Sequence, residues 1–282
     1  MNQHLAVITG CSSGFGLLST IELARRDYFV VATMRDLARR ARLDEALASA
    51  GLTERVSVRT LDVAVPESHE PFVAKTVADY GRIDLLVNNA GFALAGFAED
   101  VTLEELRRQF ETNFFGTVSL TKAVLPVMRR RGAGRILMLS SISGRSSSPA
   151  MSSYSSAKFA LEGYTESLRM EMKPLGIDCI LIEPGSFETG IWYRKDNAAA
   201  AAFDPASPNY ERTKMFRAYV EKKLQRRDAG EVARLIAHLA DAPHPRLRYP
   251  VGPDAKATVV LRTLLPWRLF EAMIARVLRL DK

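Results

Sequence analysis

Short apolar runs alternate with longer amphipathic stretches from the start of the chain. Leu5–Thr9 is the first run, closed by Gly10 and the CSSGFG turn, and an apolar-periodic stretch follows to Arg26. Tyr28–Thr33 is the second run, with a charged helical pattern behind it to Ala50. Arg55–Leu61, Ile83–Val87, Arg135–Ser140 and Ile177–Glu183 repeat the theme, the last stopped by Pro184-Gly185. Between them the periodicity predicts helices over Pro66–Tyr80, from the capping box Thr102-Leu-Glu-Glu105 to about Arg131, and over Ser152–Leu175. Proline in the first turn of the Pro66 helix costs nothing, because its missing N–H would be unpaired there. Strands alternating with helices imply parallel βαβ units with right-handed crossovers. Val-, Ile- and Leu-rich runs of this length suit strands covered on both faces. The expected fold is therefore α/β, a doubly wound parallel sheet with helices on both faces. Ligands of such sheets sit beyond the carboxyl ends of the strands, where every polar cluster of this sequence falls.

The pattern breaks at 186–226, a segment carrying Phe187, Trp192, Tyr193, Phe203, Tyr210, Phe216 and Tyr219 and a run of alanines from Ala198. An insertion of that length is read as a substrate-binding lid or loop. Asp228 and Glu231 then cap a further helix, and Arg246–Val251 makes a last strand, about seven in all. The tail from Ala257 to Leu280 reads as an amphipathic helix interrupted by Pro266, with arginines among Trp267, Leu269, Phe270, Met273, Ile274 and Val277. With no repeat and no low-complexity linker, 1–282 reads as a single domain.

Composition changes this picture little. At 282 residues, 47% hydrophobic and 25% charged, the chain is ordinary for a globular protein with one large core. No apolar run is long enough to span a bilayer. The opening MNQHLAVITG enters a strand at once, leaving no room for a signal peptide, and Cys11 and Cys179 lie far apart in apolar or glycine-rich surroundings. These features imply reduced thiols and a cytoplasmic protein. The four histidines show no metal-ligand spacing, so no metal site is expected. The net charge of +7 is spread over mixed-sign helix faces, which disfavours nucleic acid but suits guidance of an anionic phosphate cofactor.

The candidate chemistry begins with Tyr154 and Lys158. Four residues apart on a helix, they lie one above the other, and a lysine ammonium there would favour the tyrosinate and lower the phenol pKa. A phenol so tuned can exchange a proton with an alcohol or carbonyl oxygen. The turn Thr9-Gly10-Cys11-Ser12-Ser13-Gly14-Phe15-Gly16 lacks the G-x-G-x-x-G spacing. Its glycines nevertheless permit positive φ and close approach of a diphosphate to a helix N-terminus.

TGCSSGFG, Asp62, the NNAG of Asn88–Gly91, Asn113, Ser141, Tyr154, Lys158 and the turn from Pro184 to Thr189 occur in that order. Over roughly residues 5–190 this ordered set resembles the short-chain dehydrogenase/reductase family. ITGCSSG, ATMRDL, SAKFALEG and RLRYPVGPDA resemble its 17β-hydroxysteroid dehydrogenase and retinol dehydrogenase branch. The resemblance implies a Rossmann-type fold and an enzyme moving a hydride between a nicotinamide and a hydroxyl carbon. It makes Tyr154 the acid or base, Ser141 the partner of the substrate oxygen, Lys158 the holder of the ribose hydroxyls, and Asn113 an aid to a water linking Lys158 to solvent. Ser140 is the rival to Ser141, but the spacing to the tyrosine favours Ser141. The cofactor would lie on Gly10, Ser12, Ser13, Gly14, Gly16, Arg35, Asp62, Val63, Asn89, Ala90, Gly91, Tyr154, Lys158, Pro184, Gly185 and Thr189. Met34 holds the place of the usual ribose-binding acid and Arg35 follows it, so NADP is expected, with Asp36 leaving NAD possible.

Phe92, Leu94, Ser141, Ile142, Met151, Phe187 and Trp192 flank the reacting groups and would form a pocket for a bulky hydrophobic alcohol or ketone. A 17β-hydroxysteroid of the estradiol/estrone kind leads, and retinol/retinal or a long-chain or polyketide ketone follows. The resemblance further implies a homo-oligomer, a dimer or tetramer. Two other readings compete: an NADP-sensing regulator on the same fold, which would lack a working acid, and a protein touching a membrane surface through the tail helix. The intact Ser141, Tyr154 and Lys158 argue against the first, and a helix packed on its own protein is the simpler reading of the tail.

Overall fold

A computed structural model describes residues 3–187, 189, 197–223 and 227–278. Seven strands form one parallel sheet: β1 Leu5–Ile8, β2 Phe29–Met34, β3 Val56–Thr60, β4 Leu85–Asn88, β5 Gly134–Leu139, β6 Ile177–Pro184 and β7 Arg248–Val251. Their spatial order is β3-β2-β1-β4-β5-β6-β7, so the order reverses between β1 and β4. That reversal opens the crevice in which sheets of this kind bind ligands.

Alternate side chains of each strand feed two separate cores. Ala6 and Ile8 of β1, Val30 and Ala32 of β2, and Ile180 and Ile182 of β6 face one side. There they pack on α1 Gly14–Arg25, α2 Ala41–Ala50 and α8 Gly230–Asp241, through Leu23, Leu47 and Ile236 among others. Leu5, Val7, Val31, Cys179 and Leu181 face the other side and meet α3 His69–Tyr80, α5 Gly116–Arg131 and α6 Ser152–Met172. Burial on both faces is why the strands read as unbroken apolar runs. The fold is the doubly wound Rossmann type that the alternation of elements predicts.

Two expectations need correction. The helix expected from Thr102 to about Arg131 is instead α4 Leu103–Phe110, a single π turn over Glu111–Phe115, and then α5. A Cβ on Gly116 would collide with the Val63 carbonyl oxygen, so α5 starts hard against the loop after β3. Asn113, on the π turn, is buried. The expected tail helix begins earlier, at Pro253, and is interrupted at Pro266 as its sequence predicts, giving α9 Pro253–Leu264 and α10 Trp267–Leu278. Among the described residues no helix is long and apolar enough to cross a membrane.

The insertion is a strap laid across the segment after β4. Ala95 pairs with Ala198 as a parallel bridge, Ser207 Oγ donates to Asp100 at 2.6 Å, and the Arg212 guanidinium sits 4.6 Å over the Phe97 ring. From there α7 Tyr210–Lys223 carries Phe216 toward the carboxyl ends of the strands.

Candidate functional site

The glycine turn joins β1 to α1 with no room to spare. Gly10 and Gly14 hold φ of +73° and +58°, which an L side chain rarely adopts. A Cβ on Gly16 would lie 2.5 Å from Asn89 Nδ2 and closer still to the Gly10 carbonyl oxygen. The turn is pinned by the cluster after β4: Thr9 Oγ1 accepts from Asn89 N at 3.0 Å and Ala90 N at 2.9 Å. In return Asn89 Nδ2 donates to the carbonyls of Thr9 (2.7 Å) and Gly10 (3.1 Å). Thr9 is thus a supporting residue that a motif search passes over, although a hydroxyl beside the first glycine is visible in the sequence. Ser13 makes no side-chain cap and the first turn of α1 has no acid, so its N–H groups are presented to an anion. The diphosphate of a dinucleotide fits this cradle. Gly16→Ala is expected to cost about 1–3 kcal/mol through overpacking and to abolish dinucleotide binding. Thermal unfolding with a cofactor titration checks both, and wild-type behaviour in each would contradict the reading.

At the far end of the cradle, Arg35 is exposed and makes no hydrogen bond or ion pair among the described residues, while Asp36 accepts from Ala38 N at 2.9 Å and caps the short helical turn after β2. One oxygen of the carboxylate that would keep NAD open thus caps this turn. Asp62 and Val63 lie on the loop after β3, where Asp62 accepts from Ala64 N at 3.0 Å. Gly185 donates its N–H to Val251, and Ser186 N donates to Asp254 at 2.7 Å, fixing the turn that leads from Pro184 toward Thr189. Thr189 reaches back to the glycine turn: a Cβ on Gly14 would lie 3.6 Å from its Cβ.

Ser141, Tyr154 and Lys158 come together at the end of β5. All three are buried, exposed by 8%, 7% and 6%. The Ser141 hydroxyl hydrogen-bonds the Tyr154 phenol, whereas the buried Ser140 hydroxyl has no hydrogen-bond partner among the described residues and lies by Gly144. This favours Ser141 over its neighbour. Lys158 Nζ donates to the Leu139 carbonyl at 2.6 Å and lies 5.7 Å from the centre of the tyrosine ring.

The electrostatics correct the sequence reading. Burial pushes the Tyr154 phenol up to about 12, opposed only by the Ser141 hydrogen bond, and burial pushes Lys158 down to about 8. The lysine does not lower the tyrosine in the protein alone, because its ammonium is turned to a backbone carbonyl rather than to the phenol oxygen. Asn113 faces the loop after β4. Its Oδ1 accepts from Phe92 N at 3.1 Å and its Nδ2 donates to Phe92 O at 2.8 Å. Its side chain thus clamps the loop after β4, helped by Gln109, which binds Phe92 O and Leu94 N.

Of the residues expected to face substrate, Met151 packs with Ala93 and Tyr154 in a small apolar cluster, with Ala95 and Phe216 against it. Ile142 and Phe92 are half-buried nearby in sequence. Leu94 is wholly buried, and Phe187 lies in the α1 core, edge-on to Phe15 at 5.7 Å. Both are packing residues, a correction that residue type and spacing could not supply. Trp192 lies outside the described residues. Ala93, Ala95 and Phe216 are the members missed: two alanines carry no signal, and Phe216 reaches the site only because the strap folds back. Among the described residues no group of His, Cys, Asp and Glu is placed to hold a metal ion.

The short chain dehydrogenase family model matches residues 4–199. Over 280 residues the chain is 44% identical to the uncharacterized oxidoreductase YusZ of Bacillus subtilis (strain 168), covering 99% of each. It is 41% identical over 214 residues to retinol dehydrogenase 8 of Homo sapiens, covering 73% of this chain and 67% of that one. It is 33% identical over 254 residues to estradiol 17-beta-dehydrogenase 1 of Rattus norvegicus, covering 88% and 74%. A solved short-chain dehydrogenase from Streptomyces avermitilis matches with a TM-score of 0.81 at 31% identity, over 100% of this chain and 98% of that one. A dinucleotide cradle at the sheet's switch point and a buried serine, tyrosine and lysine beside it, found with these relatives, place the chain in the short-chain dehydrogenase/reductase family, as an NAD(P)-dependent oxidoreductase acting on CH–OH groups.

Proposed function

We propose that the chain moves a hydride between NADP(H) and a bulky hydrophobic secondary alcohol or ketone, with a 17β-hydroxysteroid as the leading substrate. The observation that carries this reading is the apolar cluster of Ala93, Met151 and Tyr154, roofed by Phe216 of the strap. It sets the one buried phenol of the site against hydrocarbon rather than water. The names of the retinol and estradiol relatives agree with a substrate of that bulk. A retinoid or long-chain ketone fits the same cluster and is the second choice.

The bound nicotinamide supplies the hydride; the chain's residues do the rest. In reduction Tyr154 donates its proton to the carbonyl oxygen, and Ser141 hydrogen-bonds that oxygen as charge develops on it. Lys158 holds the ribose hydroxyls. Arg35 pairs with the 2′-phosphate, and Ser12 adds a donor from the glycine turn. The reading includes a cytoplasmic setting, supported by two buried free thiols, Cys11 and Cys179. It also includes a homo-oligomer, supported by exposed Phe115 and Phe159 at the start of α5 and on α6. A panel of steroids, retinoids and aliphatic ketones, each tried with both nicotinamides, tests the substrate class. Turnover confined to small polar ketones would overturn it.

The pKa directions give the pH dependence its sign. Reduction needs a neutral phenol, which burial favours by pushing the pKa up to about 12, and a charged lysine, which burial opposes by pushing its pKa down to about 8. The kcat/KM of reduction with respect to NADPH, which reports the free enzyme, will therefore be flat at neutral pH and fall on the alkaline side. Oxidation needs the phenolate and will climb with pH until the loss of the lysine charge opposes it. A reduction profile that rises through pH 8 would contradict this.

A further inference from the structure

Below the reacting groups, α6 continues the same line of side chains. Tyr154, Lys158, Glu162 and Glu166 succeed one another at four-residue intervals and stack along one stripe of the helix. The stripe runs from the site to the surface, with the first three buried and Glu166 exposed. The Glu162 side chain is 6% exposed, and Glu183, at the end of β6, is 0% exposed.

Arg248 of β7 binds all three acids. Its Nε lies 2.9 Å from Glu162 Oε2 and 3.5 Å from Glu183 Oε1, and its Nη2 donates to Glu166 at 2.6 Å. Arg145, just past β5, donates to Glu183 at 3.2 Å. The other oxygen of each buried acid, Glu162 Oε1 and Glu183 Oε2, has no hydrogen-bond partner among the described residues. Glu162 crowds the turn that follows the catalytic strand: a Cβ on Gly144 would lie 2.9 Å from Glu162 Cγ and 3.1 Å from the Lys158 carbonyl oxygen.

The two buried acids of this network are Glu162 and Glu183, while Glu166, Arg145 and Arg248 all reach solvent. Lys158 is the buried cation one helical turn from Glu162, where a carboxylate favours an ammonium that burial would otherwise neutralise. We propose that Glu162 is the counter-charge that keeps Lys158 protonated inside the site, a positioning residue that acts on the reaction through the lysine. The groups facing Lys158 are Tyr154 and Glu162 on its own helix and the Leu139 carbonyl of β5. Those facing Glu162 are Lys158 and Glu166 on α6, Arg248 on β7 and Glu183 on β6. Burial drives the Lys158 pKa down, and the charge of Glu162 is the one influence that opposes it. The same charge adds to burial in pushing Glu183 up.

The charge assignment stands on this geometry, and only its effect on turnover rests on the proposed roles of Tyr154 and Lys158. The test is an NMR titration of the Lys158 side chain in isotopically labelled free protein, with the signal assigned by its loss in Lys158→Arg. In Glu162→Gln the midpoint should fall by about one pH unit or more. Glu162→Asp should fall between that variant and wild type. Glu166→Gln, which shares Arg248 but lies at the surface, should leave the midpoint near wild type. If Glu162→Gln fails to fold, the Asp variant carries the test and must still show a lower midpoint than wild type. A midpoint unchanged or raised in either Glu162 variant, or an equal drop in Glu166→Gln, overturns the proposal. The alkaline limb of the reduction profile should move down with the midpoint, and activity should recover at lower pH. Activity lowered equally at every pH together with an unmoved Lys158 midpoint would mark a merely structural role and overturns the proposal. A lowered Lys158 midpoint with an unmoved profile upholds the counter-charge and instead removes Lys158 from the reaction.

Discussion

Tyr154→Phe will cut turnover by roughly 10²–10⁴-fold, the range lost when a positioned acid or base is removed. The fold should survive, because the ring keeps its contacts with Ala93 and Met151 and only the hydroxyl is lost. That hydroxyl is bonded to Ser141, which keeps its other contact, accepting from the N–H of Ser143 at 3.1 Å. Cofactor affinity should also stay near wild type, since Lys158 and the glycine turn remain. Lys158→Ala differs in kind: it should lower both turnover and cofactor affinity, and it frees the Leu139 carbonyl that the ammonium now covers. Steady-state kinetics beside a cofactor-binding titration separates the two variants. Near-wild-type turnover in Tyr154→Phe would end the proposed mechanism.

Arg35→Ala will reverse or erase a preference for NADP(H). A guanidinium paired to the 2′-phosphate contributes on the order of 1.5–3 kcal/mol, so its loss weakens NADP(H) by roughly tenfold to a hundredfold. NAD(H) lacks that phosphate and should change little. Arg35→Glu should go further, because it adds repulsion against the phosphate to the loss of attraction. Both substitutions are at an exposed position, so stability should hold. Met34 is a poorer place for such a change, being 2% exposed and part of the core behind β2, where a carboxylate would lose its water. The ratio of kcat/KM for the two cofactors in each variant is the measurement. A wild type that already prefers NAD(H) would show that another group reads the ribose.

What could be read from the sequence was what local patterning controls. The short apolar runs mark strands because both their faces are buried, and Thr102 and Glu105 form the capping box their spacing announces, with hydrogen bonds of 3.2 and 2.9 Å. The four-residue step from Tyr154 to Lys158 puts both on the buried face of α6 for the same reason. What escaped was set by contacts between distant segments. The π turn over Glu111–Phe115 leads into Gly116, which abuts Val63, and no local preference of those residues encodes that contact. Phe187 and Phe92 are both aromatic residues just past a strand end, yet one enters the α1 core and the other is clamped beside the site by Asn113. The ionisation of Tyr154 was misread because spacing gives proximity to a charge, while desolvation depends on what the whole fold packs around it.

The central claim, hydride transfer assisted by Tyr154, is tested most directly by label transfer from NADPH carrying deuterium at both positions of the nicotinamide C4. With a bulky hydrophobic ketone, mass spectrometry should find one deuterium on the carbinol carbon of the product formed by wild type, and almost no labelled product from an equal amount of folded Tyr154→Phe. Labelled alcohol forming equally fast in both, or in neither across the whole ketone panel although NADPH binds, would contradict the account.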